Sequence, residues 1–215
     1  MQITPNFHRI GGFVNQYLII DGKDLTLIDA GLSSNAKKVL NYLIANGFDL
    51  KQVKRILVTH SDTDHYGAVN KVREATGAEV WTSQLEADAM RIGSSSRPIV
   101  PSGFFKLIMP LLGVFLSSPP TFVDKIISDG ETLPILGGLQ VIATPGHTPG
   151  HLSFYLPNER ILIAGDSINE SKGKPVPTTD ATTFDPERAR KTFKELMHLN
   201  PSIIACGHAF FDLRN

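Results

Sequence analysis

A chain of 215 residues, 41% of them apolar, carries enough material to fill a packed core. Its 21 Lys plus Arg balance 21 Asp plus Glu, so the overall charge gives no pull towards nucleic acid or an anionic membrane. Cys206 is the one cysteine, which excludes an intrachain disulfide and a thiolate-rich zinc site and leaves any metal to His and carboxylates. The opening MQITPNFHRIGG lacks the basic, apolar and small-residue succession of an export signal, and the expected location is the cytoplasm.

Short apolar runs rich in β-branched residues begin at 17–20 and 25–28, a hairpin turning at 21–24. A polar helix over 34–46, a strand over 55–59, a helix over about 66–76 and a strand over 79–82 follow, with Gly47 and Gly77 as helix stops. Further on, 139–144, 151–156, 161–165 and 202–206 read as strands. A helix over 186–199 separates the last two, with Asp185 as its N-cap and Pro186 in its first position. Strands with helices between them give an α+β class: two mixed sheets packed face to face, helices outside, in a single domain over 1–215.

The segment 93–120 breaks this rhythm. SSSRP opens it, FFKLIMPLLGVFL fills it and SSPP closes it, as an insertion of helical, hydrophobic character. The run 104–116 carries Lys106, Pro110 and Gly113 and is too short and too interrupted to span a bilayer. Three readings stay open: a helical pair that completes the core, a lid over a substrate pocket, or an apolar surface for peripheral membrane contact or a second subunit in a homodimer.

The histidines are informative by position. ILVT leads into His60, VIATPG into His147 and IIACG into His208, while ILIAG leads into Asp166. If those strands end on one side of the sheets, their loops deliver the side chains to one rim. The glycines at 146, 165 and 207 let the backbone turn just before each candidate. In THSDTDHYG, His60, Asp62, Asp64 and His65 supply four metal-binding side chains within six residues. The alternative is that Asp62 or Asp64 simply caps the following helix.

Taken in order, LIDAG, THSDTDH, PGHTPGH, AGD and CGH resemble the motifs of the metallo-β-lactamase superfamily, from Asp29 to His208. The resemblance implies an αββα sandwich with a dinuclear site at one edge of the paired sheets. It implies that His60, Asp62 and His147 hold one metal, that Asp64, His65 and His208 hold the other, and that Asp166 bridges both. The family pattern is HxHxDH, whereas this chain has HxDxDH, with Asp62 in place of the second histidine. An added carboxylate shifts the first site towards iron or manganese relative to all-imidazole ligation, although zinc remains the first choice. By the same resemblance His151 and Asp29 support the ligands from behind. His8 and His198 read as ordinary histidines and Cys206 as a buried strand residue.

Two divalent cations would make hydroxide from a bridging water near neutral pH, with Asp64 as an additional proton acceptor. The expectation is a metal-dependent hydrolase acting on an ester, thioester or lactone of a small, partly apolar substrate, with no nucleic-acid partner. Two alternatives remain at this stage: an iron-dependent oxidoreductase acting on dioxygen or a sulfur compound, which Asp62 favours, and a non-catalytic binding module on the same fold.

Overall fold

The computed structural model describes residues 1–97 and 118–214. Most of the insertion expected at 93–120, including the whole run 104–116, lies outside the described residues.

In chain order the first half contributes β1 (Gln2–Thr4), β2 (Phe7–Ile10), β3 (Gln16–Asp21), β4 (Asp24–Ile28), α1 (Ala36–Ala45), β5 (Val53–Leu57), α2 (Thr63–Tyr66), α3 (Val69–Thr76), β6 (Glu79–Thr82), α4 (Gln84–Arg91) and β7 (Lys125–Ile126). The second half contributes β8 (Thr132–Leu133), β9 (Leu139–Ala143), β10 (Leu152–Leu156), β11 (Ile161–Gly165), β12 (Ile168–Ser171), β13 (Lys174–Pro177), α5 (Pro186–Met197), β14 (Ile203–Cys206) and β15 (Phe210–Asp212). β1 to β7 form one sheet in sequence order, and β15-β14-β11-β10-β9-β8 form the other. The hairpin β12-β13 stands apart.

Period-2 alternation assigns each central strand two apolar faces. Tyr17, Ile19 and Ile28 of the first sheet meet Phe154, Ile161, Ile163, Ile203 and Ala205 of the second in the core between the sheets. The intervening Leu18, Leu25, Leu27 and Ile56 face outwards and are covered by Val39 and Leu43 of α1 and Val69 and Val72 of α3. On the far side Leu162, Ala164, Ile204 and Cys206 are covered by α5 through Leu196 and Phe193. The layers are therefore helix, sheet, sheet, helix. Burying each of these large side chains contributes roughly 1.5–3 kcal/mol.

Strand direction places the chemistry. β4, β5 and β6 run parallel, so the segments after Ile28 and Leu57 emerge on one side. β11 and β14 are parallel, and β9 shares their direction because β10 is antiparallel to both β9 and β11. The loops after β9, β11 and β14 carry His147, Asp166 and His208.

The helix expected over about 66–76 is α3, and the single turn α2 stands separately before it. The break falls at Gly67 and Ala68, where Ala68 N–H donates to Gly31 O and the His65 carbonyl accepts from Ala30 and Gly31. A Cβ on Gly67 would run into the backbone of Thr63 and Ser33. The backbone of the motif is thus bonded to the loop after β4 instead of continuing one helix. α5 begins as its sequence predicts, with the Asp185 carboxylate accepting from Arg188 N–H and Pro186 in the first turn.

Candidate metal centre

Asp29 follows β4 in a left-handed conformation, φ +57°, that aims its carboxylate back across the sheet edge. Oδ1 accepts from Thr59 N–H at 2.8 Å and Oδ2 from the Thr59 hydroxyl at 2.8 Å, fixing the loop that carries His60. Oδ2 also lies 2.8 Å from His65 Nδ1, so that nitrogen is the donor and Nε2 is turned inwards. His60 Nδ1 is 3.0 Å from Thr59 Oγ1. His208 Nδ1 donates to Phe13 O at 3.0 Å, and its loop is tied down by Asn15, whose amide donates to Cys206 O and Ala209 O. Each imidazole is turned by a partner on its outer nitrogen.

The inner atoms converge. His60, His147 and Asp166 offer ligand atoms within 4.8 Å of one another, and so do Asp64, His65 and His208. Asp62 Oδ2 lies 3.2 Å from His147 Nε2 and 3.7 Å from His60 Nε2. Asp166 stands between the groups: Oδ1 is 3.3 Å from His65 Nε2, while Oδ2 is 3.4 Å from His208 Nε2 and 3.7 Å from His147 Nε2. All seven side chains named from the sequence meet at one rim. Asp62 occupies the N-cap position of α2 but makes no capping hydrogen bond there, so helix capping does not account for its carboxylate.

The charges respond to this crowding. Burial pushes His60 well below the ordinary imidazole range, reinforced by the charge of His65. Burial also opposes ionisation of Asp62 and Asp166, but the facing imidazoles, with Arg97 for Asp62, outweigh it and hold both carboxyls well below their usual range. His65 rises well above its ordinary value because Asp166 and Asp29 overcome its burial. His208 is pushed up to about 10 by hydrogen bonding to Asp166 and Asp64.

A cation fits this donor set. His60 Nε2, His65 Nε2 and Asp166 Oδ1 are buried without a hydrogen-bond partner among the described residues, an arrangement that costs free energy unless something positive sits between them. Imidazole nitrogens and carboxylate oxygens are the ligands such a site requires. Gly207 makes the approach feasible, since a Cβ there would overlap Asp166 Oδ1 and come within 2.6 Å of His65 Cε1. Gly146, φ +143°, packs against Ala189 of α5, where a Cβ would be 2.6 Å from the helix backbone, and so fixes the turn into His147.

His151 is fully buried behind the site, its Nδ1 2.7 Å from Thr144 Oγ1 and its Nε2 accepting from Asp166 N–H at 3.1 Å. Burial, with the charge of His147, lowers it to about 3, so it supports the Asp166 loop as a neutral ring. His8 is buried beside Tyr42, away from the cluster, and Cys206 is a buried residue of β14 in the outer core.

Two residues escaped the sequence reading. Arg97 donates through Nε and Nη2 to Asp62 Oδ2 at 3.0 and 2.6 Å, and the Ser95 hydroxyl donates to Oδ1 at 2.6 Å. Glu86 of α4 is fully buried and accepts from Ser61 N–H and Oγ, Ser96 Oγ, Thr148 Oγ1 and Gly150 N–H. It therefore clamps the His60 loop to the His147 loop. Neither lies near its partners in sequence; the one available signal was the unbalanced charge of Asp62.

The model of the metallo-beta-lactamase superfamily matches residues 9–208. A probable metallo-hydrolase of Bacillus subtilis, YflN, is 29% identical over 200 residues, covering 85% of this chain and 74% of the relative. The hydroxyacylglutathione hydrolase GloC of Haemophilus influenzae is 27% identical over 194 residues, covering 89% and 82%. Among solved structures, a Cronobacter sakazakii metallo-beta-lactamase with an HARLDQ motif superposes with a TM-score of 0.75 at 26% identity, over 97% of this chain and 77% of that one. With its two sheets, flanking helices and converging His and Asp side chains, the chain belongs to the metallo-beta-lactamase superfamily.

Proposed function

We propose that this metallo-hydrolase cleaves an ester, thioester or lactone bond in a small, partly apolar substrate. The carrying observation is the convergence of seven His and Asp side chains on one rim, with three of their inner atoms buried and without a hydrogen-bond partner among the described residues. His60, Asp62 and His147 would hold one divalent cation, Asp64, His65 and His208 a second, and Asp166 would reach both. Zinc suits the imidazole-rich set first, and the third carboxylate raises the affinity for iron or manganese.

Bound cations supply Lewis acidity and lower the pKa of a water in the cleft. The chain supplies orientation and proton handling. Asp29, Thr59 and the Phe13 carbonyl turn His65, His60 and His208 so that each inner nitrogen faces the centre. Asp64, a quarter exposed and 3.3 Å from His208 Nε2, would accept a proton from an attacking water. Two exposed aromatics border the site: Phe13, its ring edge on His208, and Phe184, whose N–H donates to His147 O. They favour an acyl group over a highly charged substrate. The hydroxyacylglutathione hydrolase relative, named for a substrate that is an acyl derivative of glutathione, points the same way.

Metal analysis of protein purified without added metal, combined with a panel of acyl esters, thioesters, lactones and phosphodiesters, tests this. Near two equivalents of zinc and turnover of an acyl substrate are expected. Brisk phosphodiester turnover with none of the acyl substrates cleaved would overturn the substrate class, and iron with oxygen-dependent turnover would overturn hydrolysis.

A further inference from the structure

Asp62 brings a third carboxylate to a site that already holds Asp64 and Asp166. In HxHxDH the same position is a neutral imidazole. An additional full charge in a buried site is costly unless paired. Arg97 is the one Lys or Arg paired with any of the seven side chains among the described residues, and it grips Asp62 through two nitrogens. Both nitrogens reach Oδ2, the oxygen that also faces His60 and His147, and Nε also lies 3.3 Å from Oδ1. The short strip bearing Arg97 is built into the site. Ser95 holds Asp62 Oδ1, Ser96 N–H donates to Ser61 Oγ at 2.8 Å, and Ser96 Oγ donates to Glu86 Oε1 at 2.7 Å. The Arg97 side chain is about four-fifths covered, so solvent screens it little.

We infer that Arg97 is a positioning residue for Asp62. It neutralises the added charge and holds Oδ2 towards His60 and His147, so that Asp62 and Arg97 together act as one charge-neutral donor. The inference rests on the proposed cation site and assigns that site a component outside the ligand motifs. Arginine suits the role because its planar fork fixes a carboxylate in orientation as well as balancing its charge. The pairing also has a directional consequence. With Asp62 present, Arg97 strengthens cation binding by orienting the ligand. With a neutral ligand in its place, the same guanidinium becomes an unpaired positive charge beside a cation and weakens it.

Titration of the metal-free full chain with zinc against a chromophoric chelator separates these effects in Arg97→Met, Asp62→His and the double variant. Arg97→Met is expected to weaken one of two equivalents about 10- to 100-fold. In the Asp62→His background the same substitution is expected to tighten that equivalent by about 10-fold, a reversal of sign. The other equivalent and the circular-dichroism spectrum stay as in the parent. Equal shifts in both backgrounds, or none in either, overturn the inference. If Arg97→Met does not fold, Arg97→Lys keeps the charge without the fork; wild-type affinity for that variant in both backgrounds overturns it equally. His60→Ala provides the frame. A parent chain that takes up no zinc equivalent sensitive to His60→Ala removes the cation site, and this inference with it. Two zinc equivalents, one of them sensitive to His60→Ala, with additive variants remove this inference alone.

Discussion

Asp29 Oδ2 sits 2.8 Å from His65 Nδ1 while the other oxygen of the same carboxylate accepts from Thr59 N–H, so one side chain fixes both a candidate ligand and the loop of another. Asp29→Asn keeps the left-handed backbone, which asparagine tolerates, but offers one accepting oxygen to three donors. Zinc affinity by chelator competition is expected to fall about 10- to 100-fold with the secondary structure intact. Asp29→Ala adds about 1 kcal/mol of backbone strain at φ +57°. Wild-type zinc affinity in Asp29→Asn would show that His65 needs no such support.

Glu86 has no ion pair among the described residues, and five donors aim at its two oxygens. Glu86→Gln must place an NH2 group against donors whichever way the amide is turned. The expected loss is about 3 kcal/mol, a fall of roughly 10 °C in Tm, accompanied by weaker zinc binding because the His60 and His147 loops are no longer clamped. A Tm within 2 °C of wild type, on the order of the smallest shift worth 1 kcal/mol, would sink this role.

The parts of the fold that could be read from sequence were those whose side chains alternate between two buried faces. β3, β4, β10, β11 and β14 are central strands, and Ile161 to Gly165 is apolar throughout because it is covered on both sides. β7 and β8 are two residues long and β1 and β15 three, too short for any period to show. α4 was missed because its inward face carries Glu86, a polar residue whose partners come from other loops. The ligand set was legible because its seven members follow just four strand ends, those of β5, β9, β11 and β14, and parallel strands within each sheet deliver their ends together. Arg97 was not, because a cation 35 residues from Asp62 has no local signature and sits in an S-S-S-R run that reads as a loop.

Four histidines in and behind the centre shape the pH dependence of the metal-free protein. His60 and His151 are driven well below 6.5, His151 to about 3, so below pH 6.5 they take up protons only on unfolding. Their contribution is present above pH 6.5 and is lost as the pH falls towards 3. His65 and His208 are raised, His208 to about 10, so their contribution is present below pH 6.5 and is lost as the pH rises through 10. Denaturant unfolding of the metal-free chain should show a maximum near pH 6.5. His151→Gln should flatten the acid limb and leave the alkaline limb unchanged; an acid limb as steep as wild type would remove His151 from its cause.

Gly207 separates folding from metal binding. It lies between β14 and His208, its N–H donates to Gly165 O at 2.8 Å, and a Cβ would overlap Asp166 Oδ1 and come within 2.6 Å of His65 Cε1. Both are inner atoms of the centre, so relief of the clash must push apart the groups that would share the second cation. Gly207→Ala is therefore expected to fold, since the outer-core Cys206 and the sheet pairing of β14 are untouched, but to lose at least one zinc equivalent and, with it, hydrolytic activity. Equilibrium dialysis with zinc alone reads the first loss and the acyl panel the second. Two zinc equivalents retained at wild-type affinity would mean that the centre expands freely, contrary to the packing of Asp166 and His65 against this position.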